Sequence, residues 1–255
     1  MNRSTLAALR DAKRSGRTLV RAVDLVTGEE RLLEPGDETP LGRAAAAAAR
    51  VDRSGLAEIG GRNWFLEVHN PPLDLRVIGA VHIAQLLARM AMLAEYRVTI
   101  IDPRDAFATE QRFPDVSLCN DWPDKALAKA PLTSRSALVA LAHDPKLDDP
   151  ALIAALRTDS FYIGALGSRK MHAARLGRLR EYGFGDEVLA RIRGPVGLAI
   201  GALSPAEIAI SILAEMTMKL RAGGGWERSD TRATAIRGFP PVPSCGSPPD
   251  SGATM

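Results

Sequence analysis

The sequence has little cysteine and no long apolar run. Its two cysteines among 255 residues, Cys119 and Cys245, lie far apart, so a disulfide framework is not indicated and a reducing compartment is favoured. No apolar run approaches the roughly 18 residues that a membrane-spanning helix needs. The first twenty residues are basic but lack the apolar stretch of a secretory signal. We therefore expect a cytoplasmic protein that does not span a membrane.

Several motifs that identify catalytic and metal-binding proteins are also absent from the sequence. It contains no Ser-His-Asp arrangement at the spacing of a known catalytic triad, no H-x-x-E-H or C-x-x-C motif and no P-loop. Aromatic residues make up only 5%, and no helix-turn-helix or zinc-finger spacing accompanies the mildly basic net charge of +3. We therefore expect no nucleic-acid partner, and we interpret the isolated Cys119 as a buried small hydrophobe rather than a nucleophile.

What is present is the composition of a globular protein, with 46% hydrophobic and 25% charged residues. Residues 1–72 predict a small α/β domain with a hairpin turn at Thr27-Gly28 and an alanine-rich helix over residues 44–49. Residues 73–221 alternate apolar strands with helices, which is typical of a parallel sheet. Residues 222–255 are rich in glycine and proline and predict a disordered tail. The expected fold class is α/β: a Rossmann-like domain with a small N-terminal domain and a disordered tail.

Local signals place the elements of the second region. Short apolar runs predict its four strands, at residues 75–78, 97–101, 136–141 and 161–164. Ser204-Pro205-Ala206-Glu207 forms a capping box with proline at the first helical position and predicts the start of a last helix. A further helix is predicted from Pro150 to Arg157, and we interpret Asp148 or Asp149 as its cap.

The turn after the strand at residues 75–78 partly matches the dinucleotide fingerprint G-x-G-x-x-G/A. Gly79 and Ala84 fill the outer places, but Val81 occupies the middle place, where a branched side chain intrudes on the space of a phosphate. Asp102 ends the next strand 23 residues after Gly79, where a carboxylate would meet a ribose hydroxyl. The alternative is a Rossmann turn that no longer holds a pyrophosphate, with His82 as a solvated or capping residue.

Two further turns follow predicted strands and therefore lie where open α/β sheets bind ligands. His143 and Asp144 follow one strand, and a histidine beside carboxylates can carry a proton or bind a metal. Gly164, Gly167, Ser168 and Arg169 belong to a strand and turn that lead into a basic helix, where free amides and a guanidinium favour an anion. The basic segment at residues 169–193 is otherwise explained as a solvated helix face, and the glycine-rich loop at residues 194–201 as an ordinary loop.

Several of these runs closely resemble the C-terminal domain of the xanthine dehydrogenase accessory family of the XdhC/CoxI type. The three longest are residues 161–172, 193–202 and 204–215, and Ile101-Asp-Pro-Arg104 and residues 143–148 also match. The resemblance spans about residues 75–221. It implies a Rossmann fold and a chaperone, rather than an enzyme, that binds molybdenum cofactor and inserts it into a xanthine or CO dehydrogenase-type molybdenum hydroxylase.

The resemblance also implies ligands and partners. The cofactor would be molybdopterin or its dinucleotide form, the partner a molybdenum hydroxylase apoenzyme, with a cysteine desulfurase as a further candidate and a homo-oligomer expected. No catalytic and no metal-binding residue is assigned. The residues expected to bind the cofactor are Gly79, His82, Asp102, His143, Asp144, Gly164, Gly167, Ser168 and Arg169.

The chain departs from the family pattern at two places. The family turn usually reads G-A-G-H, and Val81 replaces its second glycine. Residues 1–70 contain no cysteine and no match to the G-G-C-x-E motif that often marks the family's N-terminal domain. Two alternatives therefore stay open: an NAD(P)-dependent oxidoreductase that uses the same domain, and a degenerate protein that binds only the target enzyme.

Overall fold

The computed structural model describes residues 3–222, all of which belong to one compact unit. They form a four-stranded antiparallel sheet followed by a six-stranded sheet with helices on both faces, which confirms the α/β fold class. Apart from its first residue, the predicted tail at residues 222–255 lies outside the described residues. Among the described residues, no helix is long and apolar enough to cross a membrane.

The N-terminal part is built around the antiparallel sheet, in the order β2-β1-β4-β3. The predicted turn at Thr27-Gly28 joins β1 to β2, and the alanine-rich helix begins earlier than predicted because Thr39 caps it by accepting from the Gly42 amide at 3.0 Å. The strand β3 was not predicted. The elements are α1 (Arg3–Arg14), β1 (Leu19–Asp24), β2 (Glu30–Leu33), α2 (Pro40–Arg50), β3 (Gly55–Ile59) and β4 (Arg62–His69).

The second sheet is parallel throughout, in the order β10-β9-β8-β5-β6-β7. Its strands are β5 (Asp74–Ile78), β6 (Arg97–Ile101), β7 (Ser117–Cys119), β8 (Ser136–Ala140), β9 (Tyr162–Ala165) and β10 (Ile192–Arg193). Its helices are α3 (His82–Leu93), α4 (Pro123–Lys129), α5 (Pro145–Leu156), α6 (Arg169–Glu181), α7 (Asp186–Leu189) and α8 (Pro205–Ala222). The four predicted strands are confirmed, and the short edge strands β7 and β10 were not predicted.

Helices bury both faces of the parallel sheet. One hydrophobic cluster lies between the sheet and α3 with α8, and the other lies between the sheet and α4, α5 and α6. Neighbouring residues of one strand therefore enter different clusters, as Val77 and Ile78 do. All five residues of β8 are buried, as expected for a central strand covered on both sides.

The strand order creates a crevice between β5 and β8. From β5 the chain proceeds to β6 on one side, whereas from β8 it proceeds to β9 on the other side. The connections therefore diverge between these two neighbours, which is the topological switch point where open α/β sheets bind their ligands. The turns that follow β5 and β8 flank this point.

The prediction of the helix start near Pro150 was wrong. The helix α5 begins at Pro145, because proline is favoured at the first helical position and the Asp144 carboxylate caps the helix by accepting from the Lys146 amide at 2.9 Å. Asp148 and Asp149 are buried inside the helix and do not cap it. The capping box of α8 is confirmed: the Glu207 amide donates to Ser204 Oγ at 3.2 Å, and the Ser204 amide donates to Glu207 Oε2 at 2.8 Å.

Candidate functional site

The turn after β5 lies against the end of β8. Gly79 has φ +97°, and a Cβ at this position would lie 2.8 Å from Ala142 Cα, so only glycine fits without strain. Val81 follows in extended conformation at the start of α3 and packs against the hydrophobic cluster beneath that helix. His82 is exposed, and its Nδ1 lies 3.1 Å from Gln85 Oε1.

Asp102 lies at the end of β6, and its side chain is completely buried. Its Oδ2 accepts from the Ala80 amide at 2.8 Å, and the Arg104 side chain donates to both carboxylate oxygens at 2.8 and 2.7 Å. Burial by itself would raise the pKa of Asp102, but the hydrogen bonds from Arg104 and Ala80 outweigh it and leave that pKa lowered. The carboxylate therefore stays ionised and fixes the Ala80 amide and the Arg104 guanidinium.

Arg104 is the group that this arrangement presents at the surface. Its side chain is 38% exposed, and its guanidinium stacks over the Phe107 ring, 4.5 Å from the centroid. Asp144 and Asp148 are close enough to act on its charge. Sequence reasoning named Asp102 and missed Arg104, although the run Ile101-Asp-Pro-Arg104 contains both residues. The signal was available, because an arginine two residues after a buried carboxylate can fold back onto it.

The turn after β8 holds His143 and Asp144. His143 has φ +59°, a left-handed conformation that is uncommon for a residue with a side chain, and it is exposed. Asp144 is committed to capping α5. The carboxylate of Asp148 reaches back to this turn and accepts from the Ala142 amide at 3.3 Å.

A buried ion pair lies behind this turn. Arg175 Nη2 donates to the Leu166 carbonyl at 2.9 Å and lies 3.7 Å from Asp148 Oδ2, and the two side chains are 4% and 2% exposed. Burial raises the pKa of Asp148 to about 6 despite the nearby guanidinium, and it lowers the pKa of Arg175. The pair joins the turn after β8 to the turn after β9. Arg175, His143 and Met171 also line a cavity of about 110 Å³.

The turn after β9 contains the remaining predicted site residues. Gly164 is buried, and a Cβ there would lie 2.5 Å from Val196 Cγ2, so the chain after β10 packs directly on it. Gly167 has φ +143°, and Ser168 caps α6 by accepting from the Met171 amide at 3.2 Å. Arg169 is exposed, and within residues 3–222 its guanidinium forms no ion pair.

The basic segment at residues 169–193 is largely paired within the fold. Arg178 donates to the Asp149 carboxylate at 2.6 and 3.0 Å, and Arg180 donates to Asp186 at 2.9 Å. Arg191 donates to three backbone carbonyls. Most of this segment is thus neither a freely solvated face nor an open anion site, and Arg169 is an exposed cation at its start.

The glycine-rich loop at residues 194–201 is fastened to α8. Glu215 Oε2 accepts from the Gly197 amide at 2.9 Å and from the Tyr162 hydroxyl at 2.6 Å. Burial, assisted by this carboxylate, raises the pKa of Tyr162. The loop follows β10 and so lies at the same carboxyl edge of the sheet as the turns after β5, β8 and β9.

This carboxyl edge is suited to binding an anion. It combines the half-exposed Arg104, the exposed Arg169 and the first amides of α3 and α6, where helix dipoles favour negative charge. In the part of the chain that the structure describes, no group of three or more His, Cys, Asp or Glu side chains could hold a metal ion. Cys119 is half-buried, with its Sγ 3.9 Å from Asp121 Oδ2, rather than fully buried as interpreted from the sequence.

A family model described as the XdhC Rossmann domain matches residues 75–216. The chain belongs to this family. The match covers nearly all of the parallel sheet and most of α8, so the XdhC domain contains the carboxyl edge described above. The resemblance inferred from the sequence motifs is confirmed.

The chain is similar to two curated proteins over about 155 residues. It is 40% identical over 154 residues to the molybdenum cofactor insertion chaperone PaoD of Escherichia coli (strain K12), covering 60% of this chain and 42% of PaoD. It is 31% identical over 155 residues to a probable xanthine dehydrogenase subunit of Bacillus subtilis (strain 168), covering 60% of this chain and 45% of that protein. The chain therefore spans less than half the length of either relative.

A solved structure has the same fold. The crystal structure of a xanthine dehydrogenase from Bacillus halodurans aligns with a TM-score of 0.63 and 22% sequence identity, covering 86% of this chain and 65% of that chain. The alignment covers more residues than the XdhC region contains, so part of the remaining chain also has a structural counterpart.

Proposed function

We propose that this chain binds molybdenum cofactor at the carboxyl edge of its parallel sheet and helps to insert it into a molybdenum hydroxylase of the xanthine or CO dehydrogenase type. The observation that carries the proposal is the Asp102–Arg104 pair beside the topological switch point. The 40% identity to the insertion chaperone PaoD supports the class of ligand. The chain acts as a carrier rather than an enzyme.

The residues at this edge fit a pterin that carries a phosphate. Arg104 is pre-oriented by a buried carboxylate, so little side-chain entropy is lost when its guanidinium binds a phosphate oxygen. Arg169 and the amides after Gly167 provide a second anionic contact at the start of α6. Asp102 and Asp144 act indirectly, since one holds Arg104 and the other caps α5.

The other predicted residues fall into two groups. Gly79, Gly164 and Gly167 hold backbone conformations or close contacts that keep the turns compact. His82 and His143 lie in the turns beside the switch point and offer hydrogen bonds to the polar edge of a pterin. We retain the division at residues 72 and 221, a cytoplasmic location, a cysteine desulfurase partner and a homo-oligomer as predictions. The molybdopterin and dinucleotide forms of the cofactor both remain candidates.

The proposal is tested by isolating the full chain from cells that make molybdenum cofactor and measuring the pterin released on denaturation. We expect the wild-type chain to carry pterin and Arg169→Ala to carry about tenfold less, because a charge-assisted hydrogen bond contributes about 1.5–3 kcal/mol. The matched control is Lys170→Ala, which removes the adjacent exposed cation of the same helix. Equal pterin in the wild-type chain and both variants would contradict the proposal.

The same preparations separate the alternatives. An NAD(P)-dependent oxidoreductase would show a higher melting temperature with NAD or NADP, and we expect no such increase because Val81 occupies the place of the second fingerprint glycine. A degenerate protein that binds only the target enzyme would capture an apo-hydroxylase but carry no pterin. Either result would replace cofactor binding as the function of this edge.

A further inference from the structure

Two adjoining cavities lie at the opposite end of the parallel sheet from the carboxyl edge. One has a volume of about 530 Å³ and lies between the end of α2 and the segments that lead into β8 and β9. The other has a volume of about 110 Å³ and lies beside the edge strand β10. Phe161 and Lys219 line both cavities, so the two are direct neighbours.

Cations dominate the charged groups around this space. Arg50, Arg135 and Lys219 line the larger cavity together with one carboxylate, Asp159. Arg191 and Arg193 line the smaller one, where no carboxylate is among the described lining residues. Five cations therefore line this space with one carboxylate, and two further carboxylates lie behind the wall, Asp52 at 3.4 Å from Arg135 and Glu215 at 3.5 Å from Arg193. The cations remain in excess, which favours an anionic occupant.

Two of these arginines are already engaged as supports of the wall. Arg135 donates to the Pro71 carbonyl at 2.6 and 3.0 Å, which joins the amino end of β8 to the N-terminal part. Arg191 donates to the carbonyls of Leu156, Thr158 and Ser160. By contrast, Arg50 and Lys219 are exposed and form no ion pair within residues 3–222.

Two buried polar atoms at the smaller cavity form no hydrogen bond within residues 3–222. Ser160 is more than nine-tenths buried, and its Oγ has no hydrogen-bond partner among the described residues. Arg193 Nε is also buried and forms no hydrogen bond, although the Arg193 side chain is 35% exposed and this atom is ion-paired with Glu215 Oε1 at 3.5 Å. Buried hydroxyl and guanidinium groups are normally hydrogen-bonded, so two donors without a hydrogen bond beside one cavity indicate that a further acceptor can bind there.

We propose that these cavities form a second ligand site, for a phosphorylated small molecule of nucleotide size. The phosphate would accept from Lys219, Ser160 and Arg193, since a tetrahedral oxyanion has acceptors for an ammonium, a hydroxyl and a guanidinium at once. The organic part would occupy the larger cavity beside Phe161. A volume of about 530 Å³ lies within the range of small-molecule sites, which often occur where two structural regions meet.

The site is separate from the cofactor edge and does not depend on the proposed function. Phe161 and Ser160 precede β9, whereas Gly167 and Arg169 follow it, so the four residues of that strand separate the two locations. An occupant would contact Arg50 of the N-terminal part and Lys219 of α8 together. Its binding would therefore stabilise the packing of these two parts.

Binding is tested by calorimetry and thermal unfolding of the full chain with adenosine monophosphate, adenosine and inorganic phosphate. We expect adenosine monophosphate to bind and to raise the melting temperature, adenosine to have no effect and inorganic phosphate to bind at least tenfold more weakly. Lys219→Ala and Ser160→Ala should each weaken nucleotide binding at least tenfold. Lys125→Ala, at an exposed lysine of α4, should leave it unchanged.

The variants also decide where the nucleotide binds. Ser160→Ala removes a hydroxyl without a partner, so it should retain the wild-type melting temperature in the absence of ligand. Arg169→Ala should bind the nucleotide as the wild-type chain does. The proposal is overturned if the nucleotide does not bind at millimolar concentration, if Lys219→Ala binds it normally, if Arg169→Ala loses binding instead, or if inorganic phosphate binds as tightly as the nucleotide.

Discussion

Two aspartate–arginine pairs at the carboxyl edge consist of the same two residue types, but the pKa of the aspartate is shifted in opposite directions. Asp102 and Arg104 meet through two hydrogen bonds at 2.7 and 2.8 Å, whereas Asp148 and Arg175 approach only to 3.7 Å. Both carboxylates are buried. The pKa of Asp102 is nevertheless lowered, and burial raises the pKa of Asp148 to about 6. Burial alone therefore does not decide the pKa of a carboxylate, because the short hydrogen bonds from Arg104 outweigh it at Asp102 and the longer contacts of Asp148 do not.

The two arginines differ in what they leave exposed. Arg104 is 38% exposed and covers its carboxylate from the solvent side, so part of its guanidinium remains open to a ligand. Arg175 is 4% exposed and is directed at the Leu166 carbonyl as well as at Asp148. In the proposed function the first pair supports binding, whereas the second pair joins two turns of the fold.

The largest expected effect tests the structural role of Arg175. Arg175→Met leaves Asp148 buried without its partner, and breaking a buried pair in this way costs about 3–5 kcal/mol. Arg180→Met is the control on the same helix, because its exposed pair with Asp186 contributes no more than about 1 kcal/mol. The loss in the free energy of unfolding for Arg104→Met should lie between those of the other two variants. Urea denaturation measures all three, and equal free energies of unfolding for the first two would refute the assignment.

The second effect is a pH dependence that distinguishes the two aspartates. Because the folded-state pKa of Asp148, about 6, exceeds its ordinary 3.8, the folded chain keeps a proton that the unfolded chain has already released. The stability contributed by this group is therefore present at low pH and falls as pH rises from about 4 to about 6. The free energy of unfolding falls by about 3 kcal/mol over this range, because each pKa unit corresponds to about 1.4 kcal/mol.

Asp102 should behave differently over the same range. Its folded-state pKa is lowered, so its contribution is complete above about pH 4 and is lost only in stronger acid. The free energy of unfolding of the wild-type chain, relative to Asp148→Asn, should therefore decrease between about pH 4 and pH 7. Relative to Asp102→Asn it should stay constant. Parallel slopes for the two comparisons would show that the two carboxylates do not differ in the way described.

The sequence predicts those parts of the fold whose signals are local. The capping box of Ser204 and Glu207 needs only four residues, and buried parallel strands such as β6 and β8 stand out as short apolar runs. By contrast, β10 has two residues and becomes a strand only by pairing with Ile163 and Gly164 of β9. An element of this length carries no periodicity of its own.

The site was predicted less completely because its key contacts join distant segments. Arg175 lies in a strongly basic helix and resembles a solvated residue in the sequence, yet the packing of α6 against α5 buries it beside Asp148. An aspartate just before Pro150 has the pattern of a helix cap. The contact of Asp148 with the Ala142 amide arises only when the chain folds back at this turn, so the sequence does not indicate it. Gly79 was recognised for its turn, but its contact with the end of β8 is visible only in three dimensions.

The smallest expected effect concerns Gly79, which lies between the Asp102–Arg104 pair and the Asp148–Arg175 pair. The amide of the next residue, Ala80, donates to Asp102, and a Cβ on Gly79 would collide with Ala142, whose amide donates to Asp148. Gly79→Ala should therefore cost about 2 kcal/mol, from overpacking against backbone atoms and from its φ of +97°. The matched control is Gly177→Ala in α6, where a Cβ meets nothing within 4 Å and a helix gains about 0.5–1 kcal/mol from alanine. Thermal unfolding should shift in opposite directions for the two variants. A shift in the same direction would mean that the turn after β5 can move away from β8, and that the two pairs are not held at a fixed separation.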